Sequence, residues 1–297
     1  MARLTIGVVV LLVAACSESS PSASAPSYST TLPADAKREV VVGVHPLHNP
    51  RRLEAVFGPL MARLTQATGR PFRLEASRSY GAFEEKLARR AFDFALPNPY
   101  QTLRARPHGY AVFAKEGDDG RFHGLLLVRR ADGPRALTEV RGKTIAFPAP
   151  TALAAAMMPQ LLLARAGLRP GREYTPQYVG SQESSIASVV RGEVAMAATW
   201  PPPWEAFVAQ RPELAAQLEV LAETPSLINN SVMARDDEPE VLVRQVRESL
   251  VTLTLDDEGR AILARIGVSQ FEPASDETYA VVEQFLKQYE LEVGPLP

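Results

Sequence analysis

The stretch EVVVGV at residues 39–44 decides the fold class of this chain. A continuous apolar run rich in β-branched residues is typical of a strand that is buried on both faces of a sheet. Between residues 52 and 68, apolar side chains then recur at helical spacing, and Gly69 follows where a helix C-cap is expected. A strand followed by an amphipathic helix is the unit from which parallel α/β sheets are built.

The same alternation repeats along most of the chain and predicts an α/β fold with two sheet-bearing units. The predicted strands are 72–76, 92–96, 143–147, 177–179 and 194–198, and the predicted helices between them are 80–90, 151–166 and 183–191. The C-terminal region is predicted to be helical at 239–255, 256–266 and 276–289. Segments 123–130 and 220–232 are the best candidates for passages of the chain between the two units.

The N-terminus has the features of an export signal. Arg3 precedes a short apolar run at residues 6–13, and two alanines then precede Cys16, the only cysteine. The run is too short for a lasting transmembrane helix, which needs about 20 apolar residues, but it fits a secretory signal. The pattern resembles the bacterial lipobox, so we expect a signal peptide at 1–15, lipidation of Cys16 and a flexible Ser/Ala/Pro tether over 16–38. The alternative is a plain signal peptide with an incidental cysteine.

Composition excludes several classes of function. The formal net charge is -2, and no block of Lys and Arg suggests a nucleic-acid-binding surface. With Cys16 used as an anchor, no cysteine remains for disulfides or structural zinc, and the four histidines lack metal-site spacing. Neither a nucleophile elbow nor a phosphate-binding loop is present. We therefore expect a protein that is not an enzyme and that needs no metal or cofactor.

Several segments, taken in order, resemble one family. They are GVHP at 43–46, YGAF at 80–83, FDFALPNPY at 92–100, VRGKTIA at 140–146, GS at 180–181 with VRGEV at 190–194, and ILARIGV at 262–268 with Phe271 and Tyr279. The chain resembles the substrate-binding proteins of phosphate, phosphite and phosphonate-type ABC transporters.

The resemblance implies the type II periplasmic-binding-protein fold. In this fold two lobes, each a mostly parallel sheet flanked by helices, are joined by two crossover strands and close on a ligand by hinge motion. Lobe 1 is expected to comprise residues 39–126 and 228–297, and lobe 2 residues 127–227. The implied partners are a small-molecule ligand, a membrane permease and, through Cys16, a lipid bilayer. We expect an extracytoplasmic monomer.

Two loops of the expected second lobe supply candidate ligand contacts. In the family, a Ser-Thr-Ser-Gly segment opens a helix and holds the ligand oxygens. Here PAPTAL stands at 148–153, so the Thr151 hydroxyl and the backbone N–H groups of Ala152 and Leu153 remain as candidates. The alternative role for Thr151 is a helix cap. A family Gly-Ser-His becomes Gly180-Ser181-Gln182, which leaves Ser181 and the uncharged Gln182. Ala195 stands where aminophosphonate binders have an acidic residue, which disfavours a ligand with an amino group.

The other candidates follow predicted strands, where ligands of open α/β sheets bind. Either tyrosine can donate to an oxyanion or pack in the core, and the asparagine can bind ligand or hold its turn. The histidine is a candidate hydrogen-bonding group, and the two tryptophans of WPPPW form an aromatic wall or pack under lobe 2. These candidates are His45, Tyr80, Asn98, Tyr100, Trp200 and Trp204.

These features together predict an extracytoplasmic, lipid-anchored solute-binding protein. The expected ligand is phosphate, phosphite or a phosphonate, captured between the lobes and delivered to a permease. Two alternatives stay open. The same fold is able to bind an apolar or lipid-like ligand, or to present its ligand-bound form to a membrane sensor.

Overall fold

The fold is described from a computed structural model over residues 38–297. The predicted signal peptide, Cys16 and the tether up to residue 37 lie outside the described residues. No helix in the described part of the chain is long and apolar enough to cross a membrane.

Six strands form the first sheet. Its core is a parallel trio, in which β1 (Val40–Val44) pairs with β2 (Phe72–Glu75) on one side and with β3 (Phe94–Leu96) on the other. This central position of β1 agrees with the buried run at 39–44. The remaining strands pair antiparallel. In the order β11-β4-β10-β3-β1-β2, the strands are Phe271–Pro273, Tyr110–Glu116, Ser231–Arg235, Phe94–Leu96, Val40–Val44 and Phe72–Glu75.

Five strands form the second sheet. Here β6 (Thr144–Phe147) pairs parallel with β7 (Thr175–Tyr178) and β8 (Met196–Thr199). In contrast, β5 (Leu125–Arg129) pairs antiparallel with β8 and with β9 (Leu218–Glu223). In the order β7-β6-β8-β5-β9, the strands are Thr175–Tyr178, Thr144–Phe147, Met196–Thr199, Leu125–Arg129 and Leu218–Glu223. We call the part of the chain built on the first sheet lobe 1 and the part built on the second sheet lobe 2.

Ten α-helices cover the two sheets within residues 38–297. The first follows β1 and buries the apolar face that its spacing predicted, and it ends at Gly69 in the left-handed conformation. In chain order, α1 to α10 are Pro50–Thr68, Tyr80–Ala88, Pro99–Ala105, Met158–Arg165, Gln182–Val190, Pro201–Gln210, Pro212–Ala215, Glu240–Val251, Asp257–Ile266 and Ala280–Glu292.

The fold class agrees with the prediction, but the sheets are mixed rather than mostly parallel. Each antiparallel pair includes at least one of the strands that adjoin the passages between the lobes, which are β4, β5, β9 and β10. The predicted division between residues 126 and 127 falls within β5.

The helix predicted at 151–166 begins later and contains a wider turn. A π-helical turn at Leu153–Met157 leads into α4, and the Met158 N–H donates to the Leu153 carbonyl. Pro159 has no N–H to donate to Ala155, so the regular i→i−4 ladder is interrupted here. A widened turn is one way in which a helix accommodates such a break.

Two passages, residues 117–124 and 224–230, carry the chain between the lobes side by side. The Gly124 N–H donates to Thr224 Oγ1 at 2.8 Å, the Thr224 N–H donates to the Gly124 carbonyl at 2.9 Å, and the Leu227 N–H donates to the Phe122 carbonyl at 2.9 Å. A Cβ at Gly124 would lie 2.4 Å from the Ala154 carbonyl oxygen. Glycine therefore permits the first passage to approach the turn that precedes α4.

A buried carboxyl group lies where β4 meets these passages. Glu116, the last residue of β4, is 5% exposed, and its Oε2 accepts a hydrogen bond from Asn230 Nδ2 at 2.7 Å. The neighbouring Asn229 donates from Nδ2 to the Gly117 carbonyl at 2.6 Å. Burial raises the pKa of Glu116 to about 7.

Candidate functional site

The carboxyl ends of the parallel strands in the two sheets face each other and enclose a small pocket. This is the position at which open α/β sheets bind ligands. Its cavity volume is about 10 Å³, roughly what one water molecule needs. The lining residues are His45, Tyr80, Asn98, Phe122, Ala152, Leu153, Ala154, Ala155, Gln182 and Trp200.

His45 follows β1 directly and is held in one tautomer. Its Nδ1 lies 3.1 Å from the Leu96 carbonyl oxygen, which only accepts, so Nδ1 carries the proton. The ring is set between Tyr80 and Trp200, at centroid distances of 6.2 Å and 6.5 Å. Burial lowers the pKa of His45 to about 4, and the imidazole is therefore neutral near pH 7.

A chain of hydrogen bonds connects the two lobes across the pocket. Thr199 Oγ1, at the end of β8, donates to Gln182 Oε1 at 3.0 Å, and Gln182 Nε2 donates to the Tyr80 hydroxyl oxygen at 3.2 Å. Tyr80 opens α2 in lobe 1, whereas Gln182 opens α5 in lobe 2. Burial raises the pKa of Tyr80 well above its ordinary value. The phenol therefore keeps its proton, which is available for donation.

Asn98 both caps a helix and contacts the other lobe. Its Oδ1 accepts from the Gln101 N–H at 3.0 Å at the start of α3, and its Nδ2 donates to the Thr151 carbonyl at 2.9 Å. An amide nitrogen has two protons, so one remains after this contact. The sequence offered a turn role and a ligand role as alternatives, and the geometry of Asn98 is compatible with both.

The lobe 2 wall combines backbone donors with apolar side chains. Residues 153–155 form the first turn of the π-helical segment, whose N–H groups lack partners within the helix. Such a turn favours an anion. Trp200 is 4% exposed and contacts Phe122 edge-on at 5.4 Å between ring centroids. The pocket thus offers neutral donors beside an apolar surface.

Four predicted site residues lie elsewhere or use their polar groups locally. The Tyr100 hydroxyl donates to the Pro297 carbonyl at 2.6 Å, and Trp204 stacks on Phe207 at 6.0 Å in lobe 2. Ser181 is the N-cap of α5, where its Oγ accepts from the Ser184 N–H at 3.0 Å. Thr151 contributes its backbone carbonyl to Asn98, and no side chain caps the π-helical turn.

Phe122, Ala154 and Ala155 line the pocket but were not predicted from the sequence, whereas the Leu153 backbone N–H was a candidate. Phe122 lies on the first passage between the lobes, where no strand or helix pattern marks it. Leu153, Ala154 and Ala155 have no polar side chain, so only the expectation of a helix N-terminus pointed to this region.

No residue that lines the pocket carries a formal charge. Outside the lining, Glu183 on α5 contacts lobe 1: its Oε1 lies 3.9 Å from His48 Nδ1 and 3.3 Å from the Asn49 nitrogen. Residues 38–297 contain no cluster of three or more His, Cys, Asp or Glu side chains that would hold a metal ion.

A larger groove of about 260 Å³ lies between α4, the second passage and α10. It is mainly apolar, and Arg165 at its edge is paired with Glu292 at 2.9 Å. Neither strand ends nor polar groups from both sheets converge there. The smaller pocket between the strand ends is therefore the candidate ligand site.

Comparison with known proteins agrees with this architecture. A family model described as the periplasmic substrate-binding protein of phosphonate ABC transporters matches residues 42–279. A sequence search of curated proteins returned no match.

Solved structures share the fold at low sequence identity. A binding-protein component of an ABC phosphonate transporter from Pseudomonas aeruginosa superposes with a TM-score of 0.79 at 17% identity, over 85% of this chain and 87% of that chain. PhnD1 from Prochlorococcus marinus, solved with methylphosphonate, gives a TM-score of 0.76 at 18% identity, over 84% and 97%. The aliphatic sulphonate binding protein SsuA from Escherichia coli gives 0.56 at 13% identity, over 85% and 86%. The family match covers most of the chain, which therefore belongs to the periplasmic substrate-binding proteins of phosphonate ABC transporters.

Proposed function

We propose that this protein captures a small phosphonate-like oxyanion in the pocket between its lobes and delivers it unchanged to a membrane permease. The observation that carries the proposal is the convergence of neutral hydrogen-bonding groups from both sheets on the helical turn at 153–155. The family match and the methylphosphonate complex of PhnD1 support a ligand of this class.

Three kinds of donor are available to an oxyanion. The backbone N–H groups at 153–155 favour negative charge through the helix dipole. The Tyr80 hydroxyl proton is free for the ligand because the phenol oxygen is the acceptor in its bond with Gln182, and Asn98 has one further amide proton beyond its bond to Thr151. An organic substituent on phosphorus would contact the Trp200 and Phe122 rings.

Lobe separation is part of the proposal. A cavity of about 10 Å³ is too small for a phosphonate, and direct hydrogen bonds from Gln182 to Tyr80 and from Asn98 to Thr151 bridge the lobes. Ligand entry therefore requires the lobes to move apart, and the passages at 117–124 and 224–230 are the segments that would bend.

A second candidate ligand class is apolar. Trp200, Phe122 and Leu153 line the pocket together with three alanines, and this lining favours a ligand with a substantial hydrocarbon part. A role in presenting ligand to a membrane sensor would use the same pocket. Binding measurements with short-chain and long-chain alkylphosphonates beside inorganic phosphate distinguish the oxyanion class from the apolar class.

The two tryptophans provide a matched test of the pocket. Trp200→Ala is expected to weaken methylphosphonate binding roughly tenfold or more, because it removes the aromatic wall and its contact with Phe122. Trp204→Ala should leave affinity unchanged, because Trp204 packs on Phe207 away from the pocket. Titration calorimetry on the purified proteins measures both. Equal losses for the two variants would contradict the placement of the ligand, and binding of fatty acids alone would favour the apolar class.

The lipid anchor is a separate part of the proposal. Cys16 follows an apolar run and two alanines, so we expect that Cys16 is lipidated and becomes the first residue of the mature protein. Metabolic labelling with a fatty-acid analogue should mark the wild-type protein and not Cys16→Ser. Label that persists in the variant would contradict the anchor at this residue and would leave ligand binding unaffected.

A further inference from the structure

We propose that His45 makes the pocket selective for an oxyanion that keeps one acidic proton, so that a singly ionised phosphonate binds better than its dianion or a sulfonate. This inference rests on the proposed function, because it specifies the form of the ligand that the same pocket accepts. Its basis is the tautomer of one imidazole and the absence of charge on the pocket lining.

The tautomer makes His45 an acceptor toward the pocket. Its Nδ1–H is committed to the Leu96 carbonyl, so Nε2 carries a lone pair. Among the described residues Nε2 has no hydrogen-bond partner, and His45 lines the pocket between Tyr80 and Trp200. A ligand oxygen that meets Nε2 needs a proton of its own.

The surroundings of His45 keep it in this state. Tyr80 on α2 and Trp200 before α6 face the ring without charge, and burial lowers the pKa of the adjacent His48 to about 3. The charged groups nearby are Arg52 on α1, which acts on His48, and Glu183 on α5, which lies 3.9 Å from His48 Nδ1. The negative charge of Glu84 on α2 contributes to the raised pKa of Tyr80.

The lining also sets a limit on ligand charge. No arginine or lysine lines the pocket, and a buried charge is costly unless it is paired or fully hydrogen-bonded. The neutral donors at 153–155, Tyr80 and Asn98 suit the two unprotonated oxygens of a monoanion. When the third oxygen is protonated, it donates a hydrogen bond to His45 Nε2. When it is unprotonated, the ligand oxygen and Nε2 are both acceptors, and no hydrogen bond forms between them.

Methanesulfonate tests this assignment because it has nearly the shape of singly ionised methylphosphonate and the same charge, but lacks the proton. Below the second ionisation of methylphosphonate, we expect calorimetry to give at least about tenfold tighter binding of methylphosphonate than of methanesulfonate, a factor equivalent to about 1.4 kcal/mol. As pH rises past that ionisation, methylphosphonate affinity should fall about tenfold per pH unit. Methanesulfonate affinity should stay constant and so report any titration of the protein itself.

A substitution at position 45 tests the role of His45 directly. His45→Gln places an amide that can donate at this position, so the preference for methylphosphonate over methanesulfonate should disappear or reverse. His48→Gln is the matched control, since His48 is a buried neighbour that does not line the pocket, and it should keep the wild-type preference.

The possible outcomes separate this inference from the proposed function. Equal or tighter binding of methanesulfonate by the wild-type protein, or methylphosphonate affinity that holds steady as the dianion forms, would overturn the role of His45 and leave the proposed function in place. If neither anion binds, the proposed function fails and the inference fails with it.

Discussion

Ala154→Asp is expected to lower the affinity for methylphosphonate at least about a hundredfold. Ala154 is 5% exposed and lines the pocket in the first turn of the helical segment, where the ligand anion is proposed to bind. Two like charges about 4 Å apart repel by about 4 kcal/mol at an effective dielectric constant of about 20. Burial of the new carboxylate is costly, and its position in the first turn of a helix offsets part of this cost through the helix dipole.

Ala154→Asn is the matched control for this prediction. Asparagine has nearly the same size as aspartate and carries no charge, so it reports the steric part of the loss alone. Calorimetric titration of both variants, with circular dichroism as a check on folding, gives the comparison. Similar affinities for the Asp and Asn variants would contradict an anion site at this turn.

Glu116→Gln is expected to remove a pH-dependent loss of stability. Burial raises the pKa of Glu116 from its ordinary value of 4.5 to about 7, so the folded state favours the protonated acid. The resulting stability is fully present below about pH 4.5 and is lost as pH rises through about 7. The difference in unfolding free energy between the wild type and the variant should shift by about 3 kcal/mol across that range, in favour of the variant at high pH.

The neighbourhood of Glu116 suits an amide. Asn230 Nδ2 donates to Glu116, whereas Asn230 Oδ1 is buried and has no partner in the described part of the chain. A glutamine at 116 can accept the first bond and donate to the second group.

Urea unfolding from about pH 5 to about pH 8 measures the effect of Glu116→Gln, with Glu272→Gln as the control. Glu272 is a carboxylate on β11 that pairs with Lys115 at 2.8 Å, and this contact lowers its pKa. Its contribution to stability is lost only as pH falls, so its variant should keep the wild-type decline between pH 5 and 8. A Glu116→Gln profile parallel to that of the wild type would contradict the prediction.

Local pattern identified many elements of the fold, but not β4, α6 or the direction in which the strands pair. The run at 39–44 and the helix that follows it were readable because both depend on the burial periodicity of neighbouring residues. The antiparallel pairing of β4 with β10 depends on the path of the chain between the lobes, which no local pattern records. The wide turn before α4 follows from Pro159, a residue that the periodicity at 151–166 does not separate from its neighbours.

The lining of the candidate pocket was predictable close to strand ends. His45 and Trp200 directly follow strands and Asn98 lies two residues beyond β3, and all three line one pocket. Tyr100 does not line this pocket, because its hydroxyl bonds to the carbonyl of Pro297, which is 197 positions away in sequence. Such long-range partners cannot be deduced from spacing. Phe122 was missed for a similar reason, since only the folded chain brings it against Trp200.

The paired backbones of the two passages restrict how one half of the molecule can move against the other. Gly124 and Thr224 exchange two hydrogen bonds, and Leu227 bonds to Phe122. A two-stranded ribbon of this kind bends more easily across its flat face than within its plane. For the lobe separation proposed above, this pairing favours a rocking motion about a single axis over sliding or twisting.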